Sequence, residues 1–272
     1  MKTEIKVYKS DKFDVEDTAS LSLFLYPKTA FVFAKDQNGA NIAIHHHLDA
    51  ELGNLDHLLG SDPLLKQDVP VKVYLHQPVF SLVPGMLFQA ERASEYLKFS
   101  GETSGKNHYF HCSLDSNNLI LVSSIPEQHK KSLDARFPEV SFFHGAFSFL
   151  SYLFKERFNL IGQEILVHYF ESHIYIAAFT DQELSMFNIF ELKGKDDLVK
   201  YTSIVMEQLQ FDRKYARVSV FGAPEISGIT EEWGEIYFHH FRMLKPHANQ
   251  NYGHGFKHLK SENLFEANWQ MD

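Results

Sequence analysis

A chain of 272 residues, 44% of them apolar, is long enough to bury a sizeable core as one large domain or two small ones. Its 26 lysines and arginines stand against 35 aspartates and glutamates, a net charge of −9 with no basic cluster, which argues against a nucleic-acid partner. The first ten residues carry charges but no apolar signal-peptide core, and the greasiest run, Ala146 to Phe154, falls far short of the roughly 20 residues of a membrane span. The single Cys112 cannot form an internal disulfide and fits a reducing compartment, so a cytoplasmic protein without direct membrane insertion is expected.

Residues 1–18 are polar and read as a loose arm or an edge strand. Leu21, Leu23 and Leu25 alternate with Ser22 and Phe24, which predicts a strand. Pro27-Lys28 makes a turn, and Phe31 to Phe33 form the next strand. Asn38-Gly39 is a hairpin signal because both residue types accept positive φ. Asn41 to His45 return as a third strand. Leu48, Leu52, Leu55, Leu58 and Leu59 recur at helical spacing, with Gly60 as the stop. Val71, Val73 and Leu75 give a fourth strand.

The middle of the chain predicts a strand over Val79 to Val83 and a helix from Pro84 through Phe99. A Gly/Ser-rich loop over Gly101 to Asn107 is the candidate linker. A strand over Leu119 to Ser123, a helix from Pro126 to Phe137, a strand over Val140 to Phe143 and an apolar helix over Gly145 to Phe158 follow. The opening pattern then returns. Strands over Ile165 to Phe170, His173 to Phe179 and Leu184 to Phe190 precede a helix with Asp196 as its N-cap and Leu198, Tyr201, Val205 and Leu209 on one face. A strand over Ala216 to Phe221, closed by Gly222, completes it. This second set of elements in the same order predicts an internal duplication. Residues 246–272 are polar and read as a mobile or loosely docked tail that Phe265 and Trp269 could anchor.

The run Leu119-Ile-Leu-Val-Ser-Ser-Ile-Pro-Glu-Gln, a helix, and Phe137-Pro-Glu-Val-Ser-Phe-Phe-His-Gly-Ala resemble a segment of actin-like proteins. They are similar to the cytoplasmic actin-like subunits of type IV pilus assembly and type II secretion. As a whole the chain resembles a bacterial family described as domain of unknown function 3822. Phe80-Ser-Leu-Val-Pro-Gly-Met-Leu-Phe, Leu184-Ser-Met-Phe-Asn-Ile-Phe and Val218-Ser-Val-Phe-Gly carry that likeness. The resemblance implies a mixed α/β fold of the actin-like ATPase, or ribonuclease H-like, kind: two βββαβα-type domains flanking a cleft. It implies a first domain over 15–157 with a subdomain 77–138 inserted, a second domain over 158–245, and the tail 246–272.

Actin-like ATPases, by that resemblance, hold phosphates on the first hairpin turn of each domain, typically Asp-x-Gly. The acid orients Mg²⁺, and the glycine lets backbone N–H groups approach the phosphates. Here the first turn is Leu25-Tyr26-Pro27-Lys28, with neither Asp nor Gly, and Pro27 has no N–H to donate. The second, Phe170-Glu171-Ser172-His173, keeps an acid without the glycine. The adenosine-side Gly-Gly pair is Gly222-Ala223-Pro224. Lys28, Glu171 and Gly222 are therefore the candidate cofactor-binding residues if ATP with Mg²⁺ binds, and no cofactor is expected otherwise. Their bland readings are a solvated lysine, a turn acid and a chain-reversal glycine.

Other constellations are weaker. His45 and His47 share a strand face, but zinc needs a third protein ligand and no zinc-binding motif accompanies them, so a strand-to-helix junction is expected and no metal site. His254 and His258 are flanked by glycines that weaken any helix. Cys112 near His108 and His111 lacks a demonstrated spatial pairing for nucleophilic catalysis. Asp196-Asp197 and Glu231-Glu232 suit helix starts. Phe142, Phe143, Phe147, Phe149, Tyr152, Leu153 and Phe154 read as core at the domain junction, or as a partner-binding aromatic surface. The leading expectation is a non-catalytic actin-like scaffold with an unknown protein partner and no catalytic residues. The alternatives are an ATP-binding actin-like protein and an enzyme using a surface His/Asp cluster.

Overall fold

The computed structural model describes residues 4–101, 105–223, 227–256 and 264–271, with the backbone alone for Asn117. The chain divides into two compact units, Met1–Phe147 with Gln250–His258, and Ser148–Asn249 with Leu259–Asp272.

The first unit begins with β1 (Ile5–Lys9), β2 (Ser20–Leu25), β3 (Ala30–Lys35) and β4 (Asn41–His47), followed by α1 (Leu55–Ser61) and β5 (Val71–Leu75). Then come β6 (Phe80–Pro84), α2 (Ala93–Tyr96), β7 (Asn107–Leu114), β8 (Leu119–Pro126), α3 (Glu127–Arg136) and β9 (Val140–His144). Its main sheet has the order β1-β4-β3-β2-β5-β9, and β6-β8-β7 form a separate three-stranded sheet. One face of the main sheet carries Leu21, Leu23, Leu25, Val32 and Val73, packed against Leu55, Leu58 and Leu59 of α1 and Leu133 of α3. Strands β2 and β3 are buried on both sides, as a central strand requires to hold its order. The opposite face is aromatic: Phe24 stacks on Tyr74 at 4.5 Å, Tyr74 on Phe143 at 5.0 Å, and Phe143 on Phe147 at 5.2 Å between ring centres.

Helix α4 (Ala146–Glu156) contains the boundary between the units. The second unit continues with β10 (Gln163–Phe170), β11 (His173–Thr180), β12 (Glu183–Glu191), α5 (Asp196–Gln208), β13 (Arg217–Phe221), α6 (Glu231–Glu235) and β14 (His240–Leu244). Its sheet has the order β12-β11-β10-β13-β14. This matches β4-β3-β2-β5-β9 strand for strand. In each sheet the three-strand meander is antiparallel and the last two strands add in parallel. Leu198, Thr202, Val205 and Met206 bury one face of α5, with Tyr201 and Leu209 partly buried beside them.

Several expectations needed correction. No helix runs from Pro84 to Phe99. Pro84 ends β6 opposite Leu119, and Met86, Leu87 and Phe99 are exposed, so the buried Ala93 and Leu97 support only the one-turn α2 and not a helix over the whole segment. Strand β7 escaped the sequence reading because its buried positions, Phe110, Cys112 and Leu114, alternate with histidine and serine. Strand β14 was likewise missed. Only Gly39 of the Asn38-Gly39 pair has positive φ, and the Asp36 carboxylate instead accepts the N–H groups of Asn38 and Ala40. Gly60 does not stop α1, which runs on to Ser61, and Asp196 is the first residue of α5 after a Lys195 cap. Ile5–Lys9 is an edge strand on β4. The described part of the tail is packed: Phe265, Trp269 and Gln270 are buried, Phe265 against Phe149, Tyr152, His168 and Phe221.

Candidate functional site

The turn after β2 is closed and filled. The Tyr26 N–H donates to the Thr29 carbonyl at 2.9 Å, and the Ala50 N–H donates to the Lys28 carbonyl at 2.8 Å. The Tyr26 ring is buried, stacked on His76 at 4.0 Å and set edge-on to Phe31 at 5.8 Å. No residue of this turn has positive φ, and the Lys28 side chain is exposed.

In the second unit Phe170 pairs with His173, leaving Glu171 and Ser172 as a two-residue turn. Glu171 sits at φ 50, a left-handed conformation that a non-glycine residue adopts at some cost. Gly222 has φ 79, and a Cβ there would stand 2.5 Å from the Tyr169 carbonyl oxygen and 3.1 Å from His168 Cδ2. The close approach of two backbones therefore accounts for this glycine without any ligand. Because β10 and β13 run parallel, Glu171 and Gly222 lie at the same end of one sheet, whereas Lys28 belongs to the other unit. Pro224 lies outside the described residues.

The remaining sequence candidates take structural roles. Asp197 accepts the Lys193 N–H at 2.8 Å, and Glu231 accepts the Met243 N–H at 2.9 Å. Cys112 is buried, with burial pushing its thiol up to about 12, while neighbouring His111 points to the exposed face of β7. None of the seven apolar side chains from Phe142 to Phe154 is exposed. His254 is solvent-exposed, and His258 lies outside the described residues.

Sequence reasoning missed one cluster. His45 and His47 project from one face of β4, and Asp62, in the corner after α1, reaches both. His45 Nδ1 lies 3.0 and 2.9 Å from the two Asp62 oxygens, and His47 Nε2 also hydrogen-bonds Asp62. The Leu64 N–H donates to Asp62 Oδ1 at 2.7 Å. Burial raises the Asp62 carboxyl, but the hydrogen bonds from His45 and His47 outweigh it and hold the group well below the usual carboxylate range. The only sequence signal was the His-x-His alternation; Asp62 is separated from it by a helix, and no local spacing motif joins them. A second buried cluster lies in the other unit, where Glu164 accepts from Arg217 Nε at 2.7 Å and from Ser219 Oγ at 3.1 Å.

The DUF3822 family, described as protein of unknown function, matches residues 13–241. The chain belongs to this family. No protein of curated function matches it. Among solved structures, a Bacteroides thetaiotaomicron protein with an actin-like ATPase fold and unknown function is similar at 16% identity, TM-score 0.75, over 85% of this chain and 93% of that one. A chain of the PilM–PilN type IV pilus biogenesis complex is similar at 12% identity, TM-score 0.54, over 85% and 89%. Likeness at these identities shows the fold alone, and that fold is the mixed α/β actin-like ATPase, or ribonuclease H-like, fold. No helix among the described residues of this DUF3822 protein is long and apolar enough to cross a membrane.

Proposed function

We propose that this protein is a non-catalytic actin-like scaffold that acts through contacts with another protein in the cytoplasm. We read the chain as a duplicated frame with a first domain over 15–157, an inserted subdomain over 77–138 and a second domain over 158–245. The observation that carries the reading is the turn after β2. Where actin-like ATPases place a phosphate-binding turn, this chain has a proline and a buried Tyr26 ring stacked on His76. The turn after β10 keeps Glu171 but no glycine, and Gly222 has a packing reason of its own. Similarity to a chain of a two-protein pilus biogenesis complex supports a protein partner for this fold, and fold by itself does not assign activity.

The test is Mg-ATP titration followed by thermal melting. A ligand at 100 times its dissociation constant adds about 2.7 kcal/mol of stability. The expected result is an unchanged melting temperature at millimolar Mg-ATP. A rise that Glu171→Gln or Lys28→Ala removes would overturn the scaffold reading in favour of an ATP-binding protein. Gly222 is unsuited to this test, because any side chain there meets the Tyr169 carbonyl.

A further inference from the structure

We propose that His45, His47 and Asp62 form a binding site for one divalent transition ion of the zinc class, which clamps β4 to the corner following α1. The site is independent of any nucleotide. It rests first on convergence: His45 Nδ1, His47 Nε2 and an Asp62 oxygen all lie within 4.8 Å of one another. The two-residue period of β4 puts both rings on one face, and the α1 turn returns the carboxylate between them.

Burial is the second support. The side chains of His47 and Asp62 are 0% exposed and that of His45 is 7% exposed. Charged groups are rarely so completely buried unless they are paired or bind metal. Orientation is the third. The Leu64 N–H fixes Asp62 Oδ1, and Oδ2 faces both imidazoles, the arrangement by which a backbone donor aligns a liganding carboxylate.

The donor set selects the ion. Two imidazoles and one carboxylate suit zinc, iron, cobalt or nickel, whereas magnesium and calcium prefer all-oxygen shells. Metal–nitrogen bonds of about 2.0–2.1 Å place neighbouring tetrahedral ligand atoms roughly 3.3 Å apart. The His45 Nδ1 to Asp62 Oδ2 distance is 2.9 Å and the three donor atoms lie within 4.8 Å of one another, so the ion needs the histidine–carboxylate contacts to open slightly and the wider separation to close around it. On binding, each facing ring nitrogen gives up its hydrogen, to the other nitrogen of the same ring or to solvent, and offers its lone pair to the metal. Nothing is oxidised or reduced. A water completes the shell on the His45 side, where the cluster keeps its small exposure.

Chelator-stripped protein titrated with Zn²⁺ by calorimetry, and with Co²⁺ by visible absorption, tests this. The expected result is one ion per chain, the visible bands of low-coordinate Co²⁺, and a higher melting temperature with Zn²⁺. His45→Gln and Asp62→Asn should each weaken binding roughly tenfold or more. His254→Gln, at an exposed surface position, should leave it unchanged. Should Asp62→Asn fail to fold, His45→Gln at the rim of the cluster carries the test. Absence of stoichiometric binding, or binding that His45→Gln leaves intact, overturns the proposal, the second result by assigning the ion to surface histidines.

Discussion

The two large sheets share one strand order and one set of pairing senses, yet they solve the same local problems with different residues. At the position just after the inner parallel strand, the first unit has His76 and the second has Gly222. The His76 ring stacks on Tyr26 and lies under Gly145, where a Cβ would stand only 2.3 Å from the ring. Gly222 instead lets backbone press on backbone at Tyr169. The first hairpin turn spans residues 26–29 in one sheet and only Glu171 and Ser172 in the other. Among the described residues, the connection between the two parallel strands holds a three-stranded sheet and two α-helices in the first unit, and α6 as its one α-helix in the second. Even the buried charges differ: His45, His47 and Asp62 sit beside α1, while Glu164 and Arg217 join β10 to β13. The lesson is that backbone pairing fixes the frame, while the turns and inner faces are free to be filled by whatever packs.

The largest effect separating the two units is expected at Arg217. Arg217→Met strands the Glu164 carboxylate, 1% exposed, without its counter-ion, and should cost about 3–5 kcal/mol in denaturant unfolding. A loss under about 1 kcal/mol would mean that water reaches Glu164 and that the pair is not a tie between β10 and β13.

Gly222→Ala should cost about 2 kcal/mol or more, because it places a Cβ against a carbonyl at positive φ, where neither backbone can yield cheaply. Near-neutral stability of this variant would show that the approach of Gly222 to Tyr169 relaxes, and would blur the contrast with His76.

The smallest effect, taken per histidine and per pH unit, is a shared pH dependence. Burial lowers His144 in the first unit to about 4, its hydrogen bond to the Gln77 carbonyl opposing the shift, and lowers His168 in the second to about 3. Both stay neutral in the folded state, while the unfolded chain takes up protons below about pH 6.5. Their contribution to stability is therefore present above pH 6.5. It should fall by about 1.4 kcal/mol per pH unit for each histidine as the pH drops from 6.5 towards 5. His168→Phe should remove one histidine's share of that slope, and an unchanged slope would mean that His168 is protonated in the fold.

Much of the frame was legible because it is written in period. Leu21, Leu23 and Leu25 alternate, and Leu55, Leu58 and Leu59 recur at a helical interval, so β2 and α1 announce themselves. Pro84 misled because a proline that opens a helix and one that closes an edge strand look alike until the partner strand is known. Strand β7 was hidden because Cys112 is a core residue there, between histidine and serine. Of the candidate site residues, Glu171 and Gly222 share a sheet end, a proximity set by the parallel pairing of β10 with β13. Asp62 was invisible, since nothing in its neighbourhood says that it faces a strand fifteen residues earlier.

The sequence by itself determined the order of strands and helices from β2 to β5 and from β10 to β13, the acidic balance, and the absence of glycine from both hairpin turns, because these depend on residue type and local spacing. Only the tertiary structure decided that the tail buries Phe265 and Trp269, that Tyr26 fills its turn by stacking on His76, and that His45, His47 and Asp62 meet. Those outcomes depend on which distant segments the pairing of strands brings within reach, and contact between residues far apart in the chain leaves no periodic mark in the sequence.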